Sequence, residues 1–402
     1  MKTKLSYFQK IIKSKGLEPV NDIDLKKQVV VGVLTTPRKR GRYPLPAGKD
    51  ARLKIEMTAA ARDKGIFMYF FYPECIGESR QTIIGHTYRP KRKGGGEWVR
   101  GVFPLPDIIY NRLSFRKDEA QKQVQQLLSN LESNPSTHVF NSRFLHKWEI
   151  HCSLRQNSLS ADLVPETLLF KEQNLYKMLS KYPELFIKPL NNSVGKGIIK
   201  VQRGSKYFNY KLAASDMDWS RCTSKKQLYS SLKSIIDGSD SQDKYLIQKG
   251  IDLAKFNGRI FDIRCQVQKN NQGQWVFTGA GVRVAARNKF VTHVPNGGYR
   301  ASYSRVIKKV FGKSPLTMEY LDQQLKYICQ VVPYVLENSL GINLGILSID
   351  IGIDKAGLMQ IIEINSKPAS FDEDDIRQKH LDHLNGYFLY LGNLANTNRK
   401  GD

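Results

Sequence analysis

No two of the five cysteines in this 402-residue chain stand in a CxxC spacing: Cys75, Cys152, Cys222, Cys265 and Cys329 are scattered singly. That speaks against a zinc module and against a disulfide framework, and it suits a reducing compartment. Long hydrophobic runs are missing as well. The longest unbroken one is Ile66–Tyr72, against the roughly 20 residues needed to cross a bilayer, so no membrane span is expected. Met1-Lys-Thr-Lys4 leads into polar sequence without an apolar core; no secretion signal is expected there, and the expected location is cytoplasmic. Acid is in short supply: 63 Lys and Arg against 37 Asp and Glu leave a net charge of +26. Such a field favours polyanionic partners, whether nucleic acid, acidic polypeptide, anionic polymer or nucleotide, and composition does not choose among them. There is no helix-turn-helix, zinc-finger or aromatic RNP-like pattern, so nucleic acid is not expected as a specific partner.

What is present is enough apolar sequence, 41% hydrophobic and 10% aromatic, to bury more than one core. Gln28–Leu34 is a short β-branched run that predicts a buried strand, followed by the basic loop Arg38–Arg42. A helix from a cap at Asp50 through Lys64, stopped by Gly65, leads to a second strand at Ile66–Tyr72. Strand, helix, strand implies a parallel α/β unit. Asp107–Tyr110 predicts another strand of that sheet, with Asn111 and Arg112 at its C-terminal end, the edge where open α/β sheets bind ligands. One helix is expected over Lys117–Glu132. Beyond Asn141, strands are expected at Pro165–Phe170, Leu185–Pro189, Ile198–Arg203, Tyr245–Gln248, Ile260–Lys269, Trp275–Ala286, Leu344–Gly352 and Leu358–Asn365. Helices are expected near Lys171–Tyr182, over Thr317–Leu340 and at the C-terminus.

Three groups of residues point to chemistry. In the first, a strand ending at Lys188-Pro189 turns through Ser193, Gly195, Lys196 and Gly197 into the next strand. Backbone N–H groups of such a loop converge on one anion, and the two lysines add point charge, which suits a polyphosphate; taken alone, a plain hairpin with glycines at positive φ is the commoner reading. In the second, Glu363 and Asn365 share one strand face, and a tight antiparallel turn at Lys355-Ala-Gly357 brings Asp350 beside them. Two carboxylates and an amide oxygen are hard ligands of the kind Mg²⁺ takes, whereas edge-strand residues facing water would need no metal. In the third, Gln248 ends a strand where its amide can meet a base, Lys249 follows it, and Asp252 can accept from ribose hydroxyls. Downstream, Arg264 and Arg283 alternate with apolar neighbours as guanidinium groups facing an anion do. An ordinary surface pair between Asp262 and Arg264 is the alternative.

Together and in this order, these motifs resemble the ATP-grasp superfamily of ligases. More narrowly, the chain is similar to the YheC/YheD family of Bacillus-type spore-coat-associated proteins, through Pro104-Leu-Pro-Asp-Ile-Ile-Tyr-Asn-Arg112, Lys147-Trp148, Leu163-Val-Pro-Glu-Thr167, Phe261-Asp-Ile-Arg264 and Gly297-Gly298. The resemblance implies an α/β (α+β grasp) fold: a basic extension over 1–27, a pre-ATP-grasp α/β domain over 28–138, and a two-lobed ATP-grasp domain over 139–402. Within the latter, the nucleotide-lid lobe would span 166–250 and the metal-binding lobe 251–395. It implies Lys147 and Lys188 as phosphate lysines, Ser193, Gly195 and Gly197 as a lid, and Gln248 and Ile251 as the hinge near adenine. Asp350, Glu363 and Asn365 would hold Mg²⁺ or Mn²⁺, and Arg264, with Lys188 and Arg283, would meet the transferred phosphoryl group. Arg112, Gly297 and Gly298 are the implied substrate contacts. His293 departs from the pattern, since related ligases often have Asn there. The implied reaction joins a carboxylate to an amine at the expense of ATP, through an acylphosphate. An acidic peptide, amino acid or protein tail is the expected substrate, and sporulation or the spore coat the expected setting. The basic loop Arg38–Arg42 supports an acidic substrate only as well as it supports a solvated surface. A catalytically silent coat-associated scaffold on the same fold is the alternative function.

Overall fold

The computed structural model describes residues 28–36, 46, 48–76, 82–92, 94–191, 197–213, 218–238, 244–292, 297–312, 315–371 and 373–398. The expectations for residues 1–27, for Arg38–Arg42, for Ser193, Gly195 and Lys196, and for His293 lie outside the described residues.

A first sheet is built from β1 (Val29–Thr35), β2 (Ile66–Phe71), β3 (Thr82–Pro90), β4 (Gly96–Pro104), β5 (Ile108–Arg112) and β6 (His138–Phe140), in the order β4-β3-β2-β1-β5-β6. β1 runs parallel to β2 and β5, and β5 to β6, while β3 and β4 form an antiparallel hairpin. α1 (Gly48–Asp63) begins before Asp50 and ends ahead of Gly65, whose φ of 72° lets the chain turn into β2. The single helix expected over Lys117–Glu132 is two pieces, α2 (Arg116–Glu119) and α3 (Lys122–Glu132), because Gln121 takes an extended conformation. The break leaves Glu119 buried. Parallel strands covered on both faces need apolar residues at every position, and β1 meets that need: Val31 and Val33 pack with Met57 of α1, Val30 and Leu34 with Val124 and Leu128 of α3.

After α4 (Lys147–Gln156), a second sheet contains β7 (Thr167–Leu169), β8 (Glu184–Pro189), β9 (Ile199–Arg203), β10 (Phe208–Leu212), β11 (Ser220–Cys222) and β12 (Tyr245–Lys249), in the order β11-β10-β9-β8-β12-β7. One face packs on α5 (Glu172–Lys181) and α6 (Lys225–Asp237) through Leu185, Ile187, Ile199, Val201 and Ile247. Period-two alternation therefore turns Phe186, Lys188 and Gln248 the other way.

The third sheet orders β16 (Tyr299–Ser302), β15 (Trp275–Val284), β14 (Arg259–Lys269), β17 (Ile346–Ile353) and β18 (Met359–Asn365), with the short β13 (Lys255–Phe256) paired to β14. Its apolar face, including Ile263, Cys265, Val267, Leu347 and Ile349, is sealed by α8 (Pro315–Leu340), which follows α7 (Tyr303–Phe311). The last helix, α9 (Asp374–Asn398), returns to the first sheet, where Leu384, Tyr387 and Phe388 join Val31, Met68 and Ile108 in one core. Among the described residues no helix is long and apolar enough to cross a membrane.

Candidate active site

The polar faces of the second and third sheets look at one another across a cleft of about 320 Å³ lined from both sides, by Phe186, Lys188 and Gln248 and by Asp262, Arg264, Arg283, Asp350, Glu363 and Asn365. Register explains the third-sheet set. Asp350 of β17 lies opposite Arg264 of β14 on one side and Glu363 of β18 on the other, and Asn365 lies opposite Ser348. Directly paired residues share a face, so Asp350, Glu363, Asn365 and Arg264 all project to the cleft. A bulge at Ile362, between Glu363 and Ile361, locally increases the twist and adds Ile362 to the lining.

Asp350 is 5% exposed. One oxygen, Oδ2, is 2.8 Å from Nη2 of Arg283, while Oδ1 is buried with no hydrogen-bond partner among the described residues. An unsatisfied carboxylate oxygen in a buried site is costly, and a divalent cation is the partner that fits. The set Asp350, Glu363 and Asn365 offers hard oxygen atoms only, which suits Mg²⁺ or Mn²⁺ with phosphate and water completing the shell. Among the described residues no three His, Cys, Asp or Glu side chains cluster around a metal position; the third protein oxygen here is the Asn365 amide.

Arg283 forks onto Asp262, Nε to Oδ1 at 2.9 Å and Nη2 to Oδ2 at 2.8 Å, so it bridges Asp262 and Asp350. Burial alone would lower the guanidinium pKa, but Asp350 and then Asp262 raise it above its ordinary value. Burial pushes Asp262 up, against the pull of Arg283. The surface pair weighed for Asp262 and Arg264 does not form. Asp262 is buried and its partners are Arg283, across the strand pair, and the Thr292 hydroxyl. Arg264 instead lies over the Phe371 ring, 5.6 Å from its centroid.

Opposite stand two lysines. Lys188 donates to the Gln248 side-chain oxygen, and Gln248 Nε2 donates to Thr167 Oγ1 at 3.1 Å. Burial lowers Lys188 to about 8, Lys147 pushes the same way, and Glu363 and Asp350 oppose them. Lys147, the first residue of α4, donates to the Pro189 carbonyl at 3.3 Å and sits 3.7 Å from Glu363 Oε1. Lys249 and Ile251 also line the cleft. Gly197, at φ 74°, lies where a Cβ would meet the Tyr245 hydroxyl at 3.2 Å.

The structure does not bring every expected residue here. Asp252 pairs with Lys355 at 2.8 Å on the exposed surface. Arg112 ends β5 with its guanidinium carbon 6.0 Å from the Tyr110 ring centroid. Neither lines the cleft, and nor do Gly297 and Gly298, at the turn before β16.

Conversely, the cleft includes Lys367, Phe290 and Thr292, which no motif flagged. Lys367 is ion-paired with Glu119 of α2 and lies over the Phe144 ring, 4.5 Å from its centroid. Burial lowers Lys367 to about 8, against the pull of Glu119. Glu119 also accepts from Asn111 Nδ2 at 3.3 Å and from the Phe144 N–H. Asn141, held at φ 52°, donates through Nδ2 to the Ile346 carbonyl at 2.7 Å and to the Ser366 carbonyl. Its Oδ1 accepts from Gly345 at 2.8 Å and Ile346 at 3.1 Å. These bonds fix the first sheet to the strands that carry the acidic set.

Comparison with known proteins agrees with this architecture. Residues 136–391 match the YheC/D like ATP-grasp family. The chain is 27% identical over 344 residues to endospore coat-associated protein YheD of Bacillus subtilis (strain 168), covering 83% of this chain and 72% of that protein. Against YheC of the same organism it is 24% identical over 332 residues, covering 82% and 88%. The VanG D-Ala:D-Ser ligase from Enterococcus faecalis superposes with a TM-score of 0.50 at 11% identity, over 91% of this chain and 99% of that one, a likeness of fold. With the matched segment spanning well over half of its length and all of the second and third sheets, the chain belongs to the YheC/D-like ATP-grasp family.

Proposed function

We propose that the chain is an ATP- and Mg²⁺-dependent ligase that joins a carboxylate to an amine through an acylphosphate, with Asp350, Glu363 and Asn365 as metal ligands. The observation that carries the reading is the buried Oδ1 of Asp350, without a hydrogen-bond partner among the described residues, on a strand face shared with Glu363 and Asn365, across a cleft from Lys188 and Lys147. The bound metal would neutralise charge between the triphosphate and the attacking carboxylate. Lys188 and Lys147 hold the phosphates. Gln248 uses its oxygen to aim Lys188, which leaves less of its amide for a base than the hinge role requires. Arg264, fixed over Phe371, offers its guanidinium to the charge that develops on the transferred phosphoryl group. Arg283 does not reach for substrate; held between Asp262 and Asp350, it orients the latter. The reaction asks for no protein nucleophile. Phe186 and Phe290, with ring centroids 6.1 Å apart, and the apolar Ile198, Ile251 and Ile362 keep water from the reacting centre.

The coat-associated names of the two relatives favour one other reading, a scaffold on the same fold with no turnover. Glu363→Ala separates the two. Titration calorimetry should show Mg·ATP binding by the wild type and a loss of about tenfold or more in the variant, and incubation with cell extract should yield ADP and a mass-shifted product from the wild type alone. Wild type and variant behaving alike would leave the scaffold.

A further inference from the structure

A second concavity, of about 600 Å³, adjoins the cleft and shares Ile260 with it. Four cations line it, Lys255, Arg259, Arg287 and Lys289, and no carboxylate lines it among the described residues. Like charges gathered around one hollow repel, so an arrangement without acids suits an anionic occupant. The backbone on both rims is fixed. On one side, β13 and β14 are joined through Asn257 and Gly258, both at positive φ (51° and 75°), the tight two-residue turn that matches strand twist. On the other, the loop after β15 is tied by Ala285 N–H to the Ile260 carbonyl at 3.0 Å and bent at Asn288, φ 59°. The same loop shows Phe290 and Thr292 to the nucleotide cleft and Arg287 and Lys289 to the hollow.

We propose that this hollow binds a carboxylate-rich peptide segment of the substrate, anchoring the chain whose reacting group enters the neighbouring cleft. The proposal rests on the ligase reading for that last step only. Arg259, Arg287 and Lys255 offer separate cationic partners to a run of side-chain carboxylates, and Arg forks take carboxylates bidentately. A nucleic-acid strand would also want open aromatic faces on which bases stack. The one aromatic ring among the described lining residues, Tyr299, already has the Arg259 guanidinium 5.7 Å from its centroid.

The test is fluorescence anisotropy of a labelled hexaglutamate peptide with full-length wild type, with R259Q/R287Q, and with K226Q/K233Q on the exposed side of α6, alongside Mg·ATP calorimetry on each. The peptide should bind R259Q/R287Q about tenfold more weakly than wild type, and K226Q/K233Q within about twofold, with Mg·ATP affinity equal in all three. Equal peptide affinity in R259Q/R287Q overturns the proposal. So does a labelled oligothymidylate that binds more tightly than the peptide and is lost in parallel. A wild type that binds Mg·ATP but not hexaglutamate sinks the anchoring hollow alone; one that binds hexaglutamate through these arginines but not Mg·ATP supports the hollow and sinks the ligase reading.

Discussion

β1 and β17 are both central strands buried along almost their whole length, and they are built from opposite chemistry. β1 presents valine and leucine to helices on both sides. β17 gives Leu347, Ile349 and Ile351 to α8 and turns Ser348 and Asp350 to the other face. A buried strand with both faces against hydrocarbon serves the core alone. One that hides a carboxylate beside a second carboxylate and a guanidinium has accepted a desolvation cost that packing does not return.

Exchanging the two chemistries is the severest break of this comparison. Val33→Asp should lower stability by about 4 kcal/mol or more, read as lost soluble protein or a collapsed urea midpoint. Asp350→Asn should shift that midpoint by less than about 2 kcal/mol while ADP release falls about 10³-fold. Next comes the tie between α2 and the segment after β18: Glu119→Ala strands the Lys367 ammonium beside the Phe144 ring and should cost about 3–5 kcal/mol in the same assay. A pH series sharpens the contrast further. His380 of α9 is buried against Gln266 and Gln268 of the third sheet, and burial, then Arg112 and His383, depress it to about 3. The unfolded chain takes up that proton below pH 6.5 and the folded one does not, so stability should fall by about 1.4 kcal/mol per unit from pH 6.5 towards 3. His380→Gln should flatten that part of the acid limb, measured by urea midpoints at pH 7 and 5. The smallest effect is expected at the surface: Asp252→Ala breaks only the exposed pair with Lys355 and should change stability by less than about 0.5 kcal/mol, with Mg·ATP affinity unmoved.

The sequence made the apolar strands legible because period and composition are local properties. Val29–Thr35, Ile66–Phe71, Ile346–Ile353 and Met359–Asn365 fall within a residue or two of expectation. The opposition of Asp350 and Glu363 followed from one short turn. The β3–β4 hairpin was not legible, since Thr82–Pro90 and Gly96–Pro104 mix small, polar and aromatic residues without a clean period. Helix α6 was passed over for its polar N-terminal lysines. The Glu119–Lys367 pair joins residues 248 positions apart, and the Asn141 bonds to β17 reach about as far; no local pattern carries such contacts. Asp262 shows the same limit: its partner lies on the next strand, not two residues along its own.

Because Leu384, Tyr387 and Phe388 complete the wall that Met57 and Ala61 begin over Val31, Met68 and Ile108, the first sheet keeps one face only partly covered until α9, made long after it, has folded back. That sheet therefore waits, sticky and half-roofed, for a helix that leaves the ribosome well after it. Until then it depends on chaperones, or on speed, to stay apart from its neighbours.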